Sequence, residues 1–279
     1  MRFTKMHGAG NDYIYIDCFD QSFPENATSL ARQMSERRFS IGGDGVVLIL
    51  PSDCADAEMR MFNADGTEAE MCGNALRCVA WFLRDRDRCG SDRMTIATGR
   101  GTLQAEILNQ YERGGSVRVD MGHPILVPAE IPTTLTPCLD ARIEIEGTRH
   151  SVSCVSMGNP HAVLFIPSVA DAPVETLGPE LETHSAFPRK ANIGFAELIN
   201  GGEINLRVWE RGTGETLACG TGACAAVVAG ILTNRCDRSV IVHLPGGDLN
   251  IEWPDNAGSI FKTGPVKEVF TGEWNQQPA

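Results

Sequence analysis

The sequence predicts an α+β fold built from two copies of one unit, on three observations. The dipeptide cues Gly10-Asn11, Gly66-Thr67 and Cys72-Gly73 recur in the same order as Gly158-Asn159, Gly212-Thr213 and Cys219-Gly220, at an offset of about 148. Short segments of period-two alternation outnumber helical segments in both halves, as expected of half-buried, mostly antiparallel strands. A mostly apolar stretch follows each Cys-Gly pair, which reads as a helix enclosed by a sheet instead of lying on its surface.

Each element follows from local chemistry. The two Gly-Asn pairs are polar turns that enter β-branched and aromatic strands, Tyr13-Ile14-Tyr15-Ile16 and Ala162-Val163-Leu164-Phe165-Ile166. Asn11 to Cys72 is 61 positions and Asn159 to Cys219 is 60. Cys72-Gly73 opens the helix Asn74-Ala75-Leu76-Arg77-Cys78-Val79-Ala80-Trp81, and Cys219-Gly220 opens Thr221-Gly222-Ala223-Cys224-Ala225-Ala226. Further alternating segments lie at residues 101–107, 116–120, 143–145, 204–208 and 249–252. The Gly- and Pro-rich stretch 114–137 marks the boundary between halves.

Composition narrows the function. At 279 residues the chain suits two domains of ordinary size. Its formal net charge of -12 repels phosphate backbones and anionic lipid, which argues against nucleic-acid and membrane partners. An anionic substrate then needs a local positive field. The N-terminus has no apolar core of signal-peptide length, and the apolar runs 46–50 and 223–232 are too short or too rich in small residues to span a bilayer. The expectation is a soluble, cytoplasmic protein, in which the Asn26-Ala27-Thr28 sequon is chance. None of the ten cysteines forms a C-x-x-C pair, against zinc ribbons and thioredoxin-type sites. Most therefore read as buried small apolar residues, Cys78 and Cys224 among them.

Cys72 and Cys219 differ because each sits at a helix start. Unpaired backbone N–H groups and the positive end of the dipole stabilise a thiolate there, drawing its pKa down from about 8.5. The same N–H groups form an anion site that needs no lysine or arginine, and the glycine after each cysteine admits a ligand close to the backbone. Pairing gives the symmetry a chemical purpose. Inverting a carbon means removing a proton from one face and returning one to the other, which a thiolate and a thiol accomplish by exchanging roles.

Lys5-Met6-His7-Gly8-Ala9-Gly10-Asn11-Asp12, Phe62-Asn63-Ala64-Asp65-Gly66, Glu70-Met71-Cys72-Gly73-Asn74, Met157-Gly158-Asn159-Pro160-His161 and Trp209-Glu210-Arg211-Gly212-Thr213-Gly214-Glu215-Thr216, running into Ala218-Cys219-Gly220-Thr221-Gly222, resemble the diaminopimelate epimerases across nearly the whole chain. The resemblance implies two pseudosymmetric domains, each a mixed sheet rolled around a central helix, with the active site in the interdomain cleft. The C-terminal strand around residues 262–270 would return to the first domain, giving domains 1–118 with 263–279, and 119–262. The implied reaction interconverts LL- and meso-diaminopimelate without pyridoxal phosphate, other cofactor or metal, and a homodimer fits the family. By motif match, Cys72 and Cys219 are base and acid. Asn11, Gly73, Asn74, Gly220 and Thr221 would hold the reacting centre. Asn63, Asn159, Asn192, Glu210 and Arg211 would grip the distal one. His161 and Glu210 would help set thiol protonation.

The assignment is physically coherent, since Glu210 suits an ammonium and Arg211 a bidentate carboxylate contact. One departure is Gly45, where some family members place a glutamine that reaches toward substrate. Proline and hydroxyproline epimerases also pair cysteines, but their first motif usually carries histidine where Asn74 stands here. A thiol redox or metal module would need thiols in mutual reach or ligand spacing. The G-x-G triplets never complete a dinucleotide fingerprint, and no Walker lysine is present.

Overall fold

The computed structural model describes residues 1–275; residues 276–279, the tail of the expected segment 263–279, lie outside the described residues. The chain divides into two compact units, one comprising Met1–Asp120 with the chain from Thr263 onward, the other Met121–Lys262.

The first unit runs β1 (Arg2–Gly8), β2 (Asn11–Asp17), α1 (Ala27–Ser35), β3 (Gly45–Leu50), β4 (Ala57–Asn63), β5 (Glu68–Ala69), α2 (Gly73–Asp85), β6 (Arg93–Thr98), β7 (Gly101–Tyr111) and β8 (Gly114–Asp120). The second runs β9 (Ala141–Ile145), β10 (Thr148–Ser156), β11 (Pro160–Phe165), α3 (Val174–Glu182), β12 (Asn192–Asn200), β13 (Glu203–Glu210), β14 (Gly214–Thr216), α4 (Gly220–Leu232), β15 (Ser239–Leu244) and β16 (Gly247–Glu252). The last strand, β17 (Phe261–Glu273), pairs antiparallel with β1 from Arg2↔Glu273 to His7↔Lys267.

Strand pairing repeats between the units. β1–β2 and β10–β11 are antiparallel, β2–β3 and β11–β12 parallel, and β3–β4 and β12–β13 antiparallel. A short antiparallel strand follows each, then a parallel pairing, β4–β6 and β13–β15, and another antiparallel one, β6–β7 and β15–β16. The class is α+β, with mixed but mostly antiparallel sheets.

Each unit wraps its sheet around one helix. α2 packs on β1, β2, β6, β7 and β8, and α4 on β10, β11, β12 and β16. Every residue from Gly73 to Leu83 is buried in α2, and so is every residue from Gly222 to Ile231 in α4. Cys78 and Cys224 are core residues. Each large apolar side chain so enclosed contributes about 1.5–3 kcal/mol.

A second helix, beyond the two expected after the cysteines, covers the opposite face of each sheet. In the first unit Leu30 and Met34 of α1 pack with Ile14, Ile16, Val46 and Leu48. In the second, Val174 and Leu181 of α3 pack with Ala162, Leu164, Ile193 and Phe195. With both faces covered, β3 and β11 are apolar almost throughout and the centre of β2 is buried on both faces, so period-two alternation is lost there. Asn26, part of the chance sequon, is the N-cap of α1 and accepts from Ser29 N at 2.9 Å.

Candidate active site

The Gly-Asn turns place the first side chains. Ala9 (φ 55°) and Gly10 (φ 80°) both take the left-handed conformation, the form of a two-residue hairpin turn, so Asn11 opens β2 opposite Gly8. In the second unit Gly158 (φ 93°) takes the left-handed role in a three-residue loop, and Asn159 directly precedes β11.

The cysteines are the N-caps of the enclosed helices. Cys72 has φ -134° and ψ 118°, Cys219 φ -107° and ψ 102°. This extended backbone leaves the first N–H groups of each helix without intrahelical acceptors. The approach of strand to helix is tight, since a Cβ on Gly222 would lie 3.2 Å from the Cys219 sulfur and 3.2 Å from Val208.

In the first unit, Cys72 Sγ donates to Asn11 Oδ1 at 3.2 Å. Asn11 Nδ2 donates to Asp44 Oδ2 at 2.6 Å, and that oxygen also accepts from Asp12 N at 3.0 Å. Tyr13, two residues along β2, places its hydroxyl within hydrogen-bonding reach of both Cys72 and Asn11; burial first, then the nearby Cys72 and Asp44, push its phenol well above its ordinary value. Asn74 is buried, and its Oδ1 accepts from Arg77 Nη1 at 2.9 Å. Asn63 stays within its own turn, where its Nδ2 donates to Thr67 Oγ1 at 3.0 Å.

The second unit gathers more of the expected set. Asn159 Nδ2 donates to Thr221 Oγ1 at 3.3 Å, and Thr221 Oγ1 lies 3.6 Å from Cys219 Sγ. His161 Nε2 lies 3.1 Å from Asn159 Oδ1. With the Asn159 N–H₂ end toward Thr221, its oxygen faces Nε2 and accepts from the ring when the imidazole proton is on that nitrogen. Burial, helped by the Arg211 charge, lowers His161 to about 3, so the ring is neutral across the physiological range. Contrary to the lowering expected from its helix start, the Cys219 thiol is pushed well above the ordinary range, first by burial and then by the Glu210 carboxylate within its reach. Thr216 Oγ1 donates to Glu210 Oε1 at 2.5 Å. Asn192 braces the next residue, accepting from Arg211 N at 2.9 Å and donating to the Pro160 carbonyl at 2.9 Å.

The structure thus groups Cys72 with Asn11, and Cys219 with Asn159, His161, Glu210 and Thr221. It leaves Asn63 and Asn192 bonded to backbone or turn partners. Three neighbours are new: Tyr13 and Asp44 in the first unit, and Glu182 in the second, which accepts from Trp209 Nε1 and Gly212 N on either side of Glu210 and Arg211. Tyr13 was legible as the residue two past the repeated asparagine, where His161 stands in the other copy. Asp44 and Glu182 carry no such mark in the sequence. Among the described residues no cluster of three or more His, Cys, Asp or Glu side chains is arranged to hold a metal ion. No helix among them is long and apolar enough to cross a membrane.

Two like-built units, each enclosing a helix that begins at a cysteine, define a fold class that solved structures share. A Bacillus anthracis phenazine biosynthesis protein of the PhzF family superposes with a TM-score of 0.72 at 16% identity, covering 99% of both chains. A probable proline racemase from Agrobacterium radiobacter gives 0.69 at 15% identity, covering 99% of this chain and 93% of that one. These likenesses concern the fold alone. Within that class the chain belongs to the diaminopimelate epimerase family, whose model matches residues 3–127 and 153–269. It is 50% identical over 277 residues to the diaminopimelate epimerase of Pelotomaculum thermopropionicum, covering 98% of this chain and 99% of the relative. Identity to the diaminopimelate epimerase of Methanococcus maripaludis is also 50%, over 275 residues, with 98% and 99% covered. The chain is an amino-acid epimerase.

Proposed function

We propose that the chain converts LL-2,6-diaminopimelate to meso-diaminopimelate, in the supply of lysine and peptidoglycan precursors, with Cys72 and Cys219 as its two acid/base groups. The observation that carries this reading is the N-cap placement of one family cysteine on the enclosed helix of each like-built unit. One sulfur, as thiolate, takes the α-proton; the other, as thiol, returns a proton to the opposite face, and the roles exchange in reverse. No pyridoxal cofactor takes part.

The anionic α-carboxylate is received by helix N-terminal N–H groups, which overcome the repulsion of an acidic protein. Asn11, Gly73, Asn74, Gly220 and Thr221 hold the reacting centre. Asn63, Asn159, Asn192, Glu210 and Arg211 hold the distal one, where the Arg211 guanidinium meets the carboxylate and Glu210 the ammonium. Glu210 also lies against Cys219, so it joins the distal grip to the protonation of that thiol, with His161 as a neutral neighbour. The enzyme works in the cytoplasm as a homodimer.

Incubation of reduced protein with LL-diaminopimelate in D₂O tests the reading. Deuterium at one inverted α-carbon, lost in both Cys72→Ala and Cys219→Ala, is the expected result. Exchange with L-proline and none with diaminopimelate would overturn it.

A further inference from the structure

The Asn11 amide has only one orientation that its neighbours allow. Asp44 Oδ2 stands 2.6 Å from one end of it. A carboxylate oxygen accepts and never donates, so the N–H₂ end must face Asp44 and the carbonyl end must face Cys72, whose sulfur lies 3.2 Å away. Asp44 is itself immobilised. Its Oδ1 accepts from Arg37 Nη2 at 2.7 Å, its Oδ2 takes the Asp12 N–H at 3.0 Å, and its own N–H donates to the Asp12 carbonyl at 2.7 Å. Arg37 Nη2 also binds Asp12 Oδ1 at 2.6 Å, and Lys5 Nζ stands 2.6 Å from Asp12 Oδ2. The network holds one side-chain oxygen, with its lone pairs, against the sulfur.

We infer that Asp44 is a positioning residue that orients the Asn11 amide so that its carbonyl oxygen faces Cys72 and favours the S–H over the S⁻ form of that sulfur. A carbonyl oxygen attracts an S–H and repels an S⁻, whereas the reversed amide would donate to the thiolate and favour it. The other ionisable groups around Cys72 act in the same sense or are neutral. Tyr13 and Tyr15 on β2 and Cys78 on α2 keep their protons, burial pushing all three upward. The positive charges of Lys5 and Arg37 are engaged by Asp12 and Asp44. The helix N-terminus opposes this preference, and substrate entry that draws Asn11 away from the sulfur would release it. The inference rests on Cys72 being an acid/base group of the proposed reaction, but its test needs no turnover.

The experiment is the pH profile of Cys72 alkylation by iodoacetamide, read by peptide-resolved mass spectrometry on the reduced full-length protein, with thermal unfolding as a check on folding. Asp44→Ala frees the amide to turn, and Cys72 should alkylate roughly tenfold faster at pH 7.5, its profile moving about one unit toward acid. Asp44→Asn presents an amide oxygen that still takes both N–H groups, its N–H₂ end releasing the exposed Arg37, so its profile should stay near wild type although the charge is gone. Asp44→Ser, too short to reach Asn11, repeats the first arm if the alanine variant does not fold. An unchanged profile in the alanine and serine variants overturns the inference. So does an asparagine variant that moves as far as alanine, since the effect would then be charge and not orientation. Absence of diaminopimelate turnover by the wild type, with these alkylation profiles as expected, would count against the proposed function and leave the positioning role standing.

Discussion

Tyr13 and His161 occupy equivalent places in the two units: each lies two residues past the repeated asparagine and opens the parallel pairing with the next strand, Tyr13 opposite Gly45 and His161 opposite Asn192. Alternation along the strand turns both away from the α1 and α3 cores, which take Ile14 and Ile16 in one unit and Ala162 and Leu164 in the other. Both polar side chains are buried on the side of the enclosed helix. Duplication has kept the position and changed the chemistry, from a hydroxyl near Cys72 to a neutral imidazole bonded to Asn159.

Replacing Tyr13 with phenylalanine keeps the ring packing and removes the hydroxyl from Cys72 and Asn11. A net hydrogen bond contributes about 0.5–1.5 kcal/mol, so kcat for epimerisation is expected to fall about two- to tenfold with little change in thermal stability. A wild-type kcat from a well-folded Tyr13→Phe would place the hydroxyl outside catalysis.

His161 sets an acid limit on stability. Burial holds its folded pKa at about 3, against about 6.5 unfolded. The unfolded chain therefore binds the extra proton, and stability declines as pH falls below the unfolded value, continuing toward the folded one. By pH 5 the loss is about 2 kcal/mol. Two measurements check this. Imidazole NMR signals of His161 should not titrate between pH 8 and 5, and denaturant unfolding of His161→Gln should lose less stability over that interval than wild type. A ring that titrates near pH 6.5 would contradict the burial argument.

The sequence carried the duplication, the helix-start cysteines and the class of fold because those features rest on local cues: turn glycines, apolar runs and repeated spacing. The outer helices are a different case: α3 has a proline inside it at Pro179 that interrupts its pattern, whereas α1 buries Ala27, Leu30, Ala31 and Met34 at helical spacing, so its period was present in the sequence, short and set among polar residues. Tyr13 could have been found by carrying the repeat two residues further. Asp44 could not, because its role comes from a contact 33 positions away in sequence, with Asn11. Glu182 is hidden for the same reason, 27 positions from Trp209.

Gly45 shows why a family variation can depend on backbone. A Cβ added there would lie 2.1 Å from the Phe62 carbonyl oxygen and 3.0 Å from Tyr13 Cε1. The first contact is with backbone across the β3–β4 pair, which has no rotamer to change. The glutamine that some family members place here therefore requires the two strands to shift. Gly45→Ala is expected to cost about 1–3 kcal/mol by overpacking and to disturb Tyr13. Chemical denaturation gives the first effect and kcat the second. An alanine variant as stable as wild type would mean that β3 and β4 separate freely.

Glu182 holds the turn that presents Glu210 and Arg211. Its buried carboxylate accepts from Trp209 Nε1 at 2.8 Å on one oxygen and from Gly212 N at 3.1 Å on the other, gripping the chain on both sides of the pair. Burial alone would raise its pKa, but the bonds from Trp209, Lys190 and Gly212 outweigh it and hold the carboxyl below its usual value. A lowered folded pKa gives stability that is present above the unfolded value of about 4.3 and is lost as pH falls through the folded one. Glu182→Gln keeps the shape but turns an N–H₂ group toward one of the two donors, and an unsatisfied buried donor costs about 1–3 kcal/mol. The variant should be less stable than wild type at pH 7, and the gap should close on acidification below pH 4. Because the turn carries the proposed distal grip, KM for diaminopimelate should rise more than kcat falls. A gap that persists unchanged at pH 3 would show that shape, and not the ionised carboxylate, secures the turn.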